Sequence, residues 1–146
     1  MILGRSEGDA FLASLGVRRL AIPLPFKAAG GPLSAYLLDE PDGSLTLWDT
    51  GLGTDEGREA LELGFAEAGR RLEDVRRILL SHGHVDHYGL AAHVQRRSGA
   101  RVYAHPRDHN KVVLGRAVPA MDAWCARLGV PAPLIRQMAA GHERTE

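Results

Sequence analysis

Short apolar runs and apolar stripes of helical period take turns along most of this chain. Residues 18–24, RRLAIPL, predict a first strand that stops at Pro23 and Pro25, which cannot donate to a ladder. AYLLDE (35–40) and SLTLWDT (44–50) predict a hairpin, since two apolar runs flank the turn-forming Pro41-Asp42-Gly43. After Gly51 the period changes. Leu61, Phe65, Ala68 and Leu72 recur at steps of three or four, the apolar face of a helix. Thr54 is its expected cap, Asp55 and Glu56 suit the dipole in its first turn, and Gly69 is its expected stop.

RRILLS (76–81) then reads as a buried strand, and ARVYAH (100–105) as another. Between them a helix turns Leu90, Ala91 and Val94 inward, carries Arg96-Arg97 in its last turn and ends at Gly99 as a left-handed cap. Strand, helix, strand, helix, strand is the order of an α/β layer. From Pro106 onward no strand is predicted. Helix-like pieces near 107–114, 119–128 and 132–140 are broken by Pro119, Gly129, Pro131 and Pro133.

Composition narrows the partners. Eighteen basic residues balance eighteen acidic ones, so neither nucleic acid nor an anionic membrane is expected to bind. The single cysteine, Cys125, has no partner for an internal disulfide and sits in an apolar run as a small packed hydrophobe. MILGRSEGDAFLASLGV lacks the basic start and long apolar stretch of a secretory signal, and no run approaches a membrane span. The expectation is a cytoplasmic chain.

The chemistry concentrates in SHGHVDHYGL (81–90), where His82, His84, Asp86 and His87 fall within six positions. Imidazole nitrogen and carboxylate oxygen suit zinc, and also iron or manganese. His82 and His84 lie two apart, which on a helix would point them about 200° apart. In an extended segment they face one way and can pinch one ion. Gly83 would let the backbone bend between them. Asp86 and His87 come as the chain turns into the next helix, so they are expected to project elsewhere, towards a second ion. The cluster follows a buried strand at its carboxyl end, where open α/β sheets place their sites.

With Trp48-Asp49-Thr50-Gly51 closing the preceding hairpin, His82-x-His84-x-Asp86-His87, then Tyr88-Gly89-Leu90 and the ARVYAH strand, the chain resembles the metallo-β-lactamase-fold metallohydrolases, on their glyoxalase II-like side. The resemblance runs from about Arg18 to His105. It implies an αββα sandwich of two similar halves, of which 1–146 would be a single incomplete domain. Residues 18–105 would form the core of the N-terminal half, and 106–146 an insertion-like helical tail. It implies that His82 and His84 bind a first metal, that Asp86 and His87 belong to the side of a second, and that Asp49 braces the ligand loop. The implied cofactor is one or two Zn2+ ions, with Fe or Mn as alternatives. Asp86 would be catalytic, orienting a metal-bound hydroxide for attack on an ester, thioester or lactone. β-Lactams are not favoured, because a cytoplasmic site would stand apart from the antibiotic's target.

In that family the second half supplies a third histidine, an aspartate bridging both metals and a last histidine. Within this chain His105 and His109 are four apart, but Pro106 predicts a helix start between them. His93 has no partner in sequence and is expected to be exposed. His142 lacks the glycine- and proline-rich setting of the third ligand. The implied partners are therefore a small-molecule substrate and either a complementing C-terminal half or a homo-oligomer. The leading expectation is thus a truncated or split hydrolase, and the competing one a catalytically inactive metal-binding remnant or module of the same fold.

Overall fold

The structure, a computed structural model, describes residues 7–25, 31–114 and 132–133. Five strands form one sheet in the order β1-β2-β3-β4-β5: β1 Val17–Ile22, β2 Leu33–Asp39, β3 Leu45–Trp48, β4 Val75–Leu79 and β5 Arg101–Tyr103. The first three pair antiparallel, and β3, β4 and β5 run parallel. Pro41-Asp42-Gly43 does make the hairpin turn, in which the Asp42 carboxylate accepts from the backbone N–H and the hydroxyl of Ser44.

Helix α1 (Glu7–Ser14) precedes the sheet, and α2 (Asp55–Glu67) crosses from β3 to β4. Thr54 caps α2 by accepting from the Gly57 N–H at 3.0 Å, and Gly69 follows its end at φ 64. Leu72 is not part of that helix. It opens a 3-10 turn, Leu72–Asp74, and is buried from there. The second crossover divides into a four-residue helix α3 (Val85–Tyr88) and α4 (Ala91–Ser98), which ends at Gly99 in the left-handed conformation. After β5 come a 3-10 turn, Pro106–Asp108, and α5 (His109–Leu114). The remaining tail pieces near 119–128 and 132–140, and Cys125 and His142, lie outside the described residues apart from 132–133.

One face of the sheet carries the core. Leu20, Ile22, Leu33, Ala35, Leu37, Leu45, Leu47, Val75 and Ile78 alternate onto it, against Leu61 and Phe65 of α2 and Ala91 and Val94 of α4. Removing such apolar surface from water is the main term holding the layers together, at about 25 cal/mol per Å². The other face presents a row of residues paired across four strands, Tyr36, Trp48, Leu79 and Tyr103. Trp48 and Tyr103 are 43% and 46% exposed. A further correction concerns His93, whose Nε2 lies 3.1 Å from Glu62 Oε1, so it is half-buried and ties α4 to α2.

Candidate metal centre

The parallel strands β3, β4 and β5 all end on the same side, and their exits build the site. Ladder contacts continue just past the strands, from Asp49 N to Leu79 O and from Leu80 N to Tyr103 O, both at 2.9 Å. Asp49 therefore emerges beside Ser81, and the loop 81–84 beside the turn that begins at Pro106.

Asp49 is buried and holds a left-handed φ of 58, uncommon for a residue with a side chain. Its carboxylate accepts from the Ser81 N–H at 2.9 Å and the Ser81 hydroxyl at 2.7 Å, and its Oδ2 lies 2.8 Å from His87 Nδ1. Ser81 Oγ in turn lies 3.0 Å from His82 Nδ1. Both rings are thus engaged from behind at Nδ1, which leaves Nε2 facing forward. Metal-binding histidines are oriented this way, with the second nitrogen engaged by an oxygen acceptor.

His82 and His84 do face each other. His82 Nε2 is 2.9 Å from His84 Nδ1, with ring centroids 4.4 Å apart. His87 does not project elsewhere, as expected from the sequence, because its ring centroid lies 4.0 Å from that of His82. The short helix α3 wraps the chain back, so that only Asp86 flanks the group, its Oδ2 3.6 Å from His87 Nε2. Burial, and the neighbouring His87 and His84, push the His82 imidazole below its ordinary pKa against the opposing pull of Asp49 and Asp86. That shift favours the neutral ring, the form that binds a metal.

The Thr50–Gly53 loop clasps α3 through its backbone. Thr50 N–H donates to His87 O at 2.7 Å, Thr50 Oγ1 donates to the same carbonyl at 3.1 Å, and Leu90 N–H donates to Gly51 O at 3.2 Å. The approach leaves no room at Gly89, where a Cβ would stand 2.4 Å from Gly53 N. The stretches that carry the resemblance include Ser81, Thr50 and Gly89, but the sequence assigned none of the three a role. His105 accepts from the Arg107 N–H at 3.3 Å and caps the 3-10 turn, while His109 opens α5, so the two do not share one helix.

Among the described residues no group of three or more His, Cys, Asp or Glu side chains stands ready to surround an ion. The donor chemistry nevertheless fits one. Two nitrogens on a tetrahedral zinc stand about 3.3 Å apart, given bonds of 2.0–2.1 Å, a little wider than the 2.9 Å between His82 and His84. His84 is exposed and free to swing outward by that amount.

A single sheet with both crossovers on one face, and a histidine–aspartate loop at the ends of its parallel strands, defines an α/β layer with a candidate metal-binding loop. Residues 28–120 match the family model of the Metallo-beta-lactamase superfamily, and the chain belongs to that superfamily. It is 37% identical over 71 residues to the probable metallo-hydrolase YqjP of Bacillus subtilis, a match covering 49% of this chain and 22% of that protein. Among solved structures, a metallo-beta-lactamase family protein of Thermus thermophilus superposes with a TM-score of 0.65 at 36% identity, over 80% of this chain and 39% of that one. A Cronobacter sakazakii metallo-beta-lactamase with a HARLDQ motif gives 0.57 at 30% identity, over 68% of this chain and 36% of its own. The chain thus spans well under half the length of these relatives. No helix among its described residues is long and apolar enough to cross a membrane.

Proposed function

We propose that this chain carries the metal-binding loop of a metal-dependent hydrolase acting on an ester, thioester or lactone. The carrying observation is the engagement of His82 and His87 at Nδ1 by Ser81 and Asp49, which leaves Nε2 of both rings clear of those partners, that of His82 lying 2.9 Å from His84 Nδ1 and that of His87 3.6 Å from Asp86 Oδ2. His82, His84, Asp86 and His87 would hold one or two Zn2+ ions, and Fe or Mn suits the same donors. A bound metal would supply Lewis acidity, lowering the pKa of a water and stabilising charge on the substrate oxygen. Asp86, 3.6 Å from His87 Nε2, would help to hold the metal and orient that water. Asp49 and Ser81 hold the two rings, and the Thr50–Gly53 loop keeps α3 from drifting.

Catalytic zinc commonly takes three protein ligands and a water. In this reading further ligands come from outside the described residues, on the same polypeptide or on a second chain. A metal-binding module without turnover is the second reading, favoured by the lack of a three-ligand group among the described residues. Metal analysis of the purified protein, with turnover of thioester, lactone, simple ester and β-lactam panels, decides between them. Stoichiometric metal with turnover of an ester-type substrate, both lost in His84→Ala, is the expected result. Metal without turnover on any panel supports the module, and no metal at all removes both readings.

A further inference from the structure

We propose that Asp108 is a positioning residue that fixes the Gly83 peptide and so sets the spacing of His82 and His84. This rests on the reading of those two histidines as ligands.

Gly83 is buried and its φ is not in the left-handed region, so its lack of a side chain serves something other than a bend. A Cβ there would stand 3.0 Å from both Cβ and Oδ1 of Asp108. The Asp108 side chain is only 17% exposed. Its Oδ1 accepts from Lys111 Nζ at 2.9 Å, which fixes the carboxylate from the helix side. Lys111 foremost, with the Gly83 N–H adding to it, holds that carboxyl below its ordinary pKa, so it stays an acceptor.

A separate contact joins the same two pieces of chain. The Tyr88 hydroxyl donates to Lys111 O at 3.1 Å, so α3 and α5 are tied independently of Asp108. The segment after β5 therefore grips the loop at Gly83, between the two histidines, and at Tyr88, just beyond His87. Asp49 orients rings; Asp108 fixes the peptide that joins two of them. Support of this kind typically changes metal affinity by about 10–100-fold when removed.

The test uses the full chain, titrated with Co2+ and followed by its visible absorption, together with melting of the metal-free protein and amide exchange at Gly83. Asp108→Ala is expected to weaken Co2+ binding about 10–100-fold, to change the absorption band shape, and to speed exchange at Gly83. Asp108→Asn, which keeps the side chain's shape and an oxygen acceptor against Gly83, should recover most of the affinity. A melting point near that of the original protein separates positioning from general unfolding. Unchanged Co2+ affinity and unchanged Gly83 exchange in Asp108→Ala overturn the proposal. Should His84→Ala bind Co2+ as tightly as the original protein, the ligand reading fails instead. Gly83 exchange then still decides whether Asp108 holds the loop.

Discussion

Two aspartates close the hairpin strands at opposite ends of the sheet. Asp39, at the end of β2, accepts from Arg18 at 2.8 Å and from two nitrogens of Arg70 at 2.7 and 3.0 Å, with its side chain 26% exposed. Asp49, just past β3, accepts from a backbone amide and a hydroxyl and contacts an imidazole, in a buried setting and with a strained backbone. Cations meet the first; mainly neutral donors meet the second. The first arrangement pins strands, and solvent and salt share its work. The second converts the position of one strand end into the orientation of two rings, at a cost in backbone strain found where function demands it. Carboxylates of equal chemistry thus serve unlike purposes, and burial with the kind of donor separates them.

The largest effect is expected from Asp49→Ala. It strips Ser81 N–H, Ser81 Oγ and His87 Nδ1 of their shared, buried partner, a loss of about 3 kcal/mol. Urea denaturation should show it as a lower midpoint with little change in slope, and Zn2+ affinity should fall with it. An unshifted midpoint would erase the contrast with Asp39. Next comes Gly89→Ala, whose methyl would press on the backbone of Gly53 and open the clasp around α3. About 1–3 kcal/mol is expected, as for overpacking elsewhere, read by thermal melting. His84→Ala follows, on an exposed ring, with a change within about 0.5 kcal/mol while metal binding is lost. A large stability loss there would show that His84 supports the loop rather than serving as a ligand.

The parts of this fold that were legible in the sequence are those set by near neighbours. Thr54, Gly69 and Gly99 mark helix ends because capping depends on residues a turn away. α1 gave no comparable stripe, since its Phe11 stays 65% exposed. Leu72 kept its burial but not its helix, because spacing alone does not tell where a helix breaks. In the site, His82 and His84 announce themselves by a two-residue step. Ser81's role depends on Asp49, Thr50's on His87 and Gly83's on Asp108, partners that only the sheet brings together. The inward turn of His87 was hidden for the same reason: a four-residue helix reverses a direction that linear spacing extrapolates.

The smallest effect belongs to the other aspartate. Arg70 foremost, then Arg18, holds the Asp39 carboxyl below its ordinary pKa. A folded-state value lower than the unfolded one means that the unfolded chain binds the proton more readily. The stabilisation is therefore fully present above the ordinary carboxylate value, about 4, and is lost as pH falls through the depressed folded value. Asp39→Asn should remove it, by about 1 kcal/mol or less, since the cluster is partly exposed. Denaturation midpoints of the original protein and Asp39→Asn should converge as the solution is acidified below that value, and draw closer in high salt. A difference at neutral pH as large as that of Asp49→Ala, insensitive to salt, would mean that Asp39 is held as a buried group is. The two ends of the sheet would then be alike in kind, whatever donors surround them.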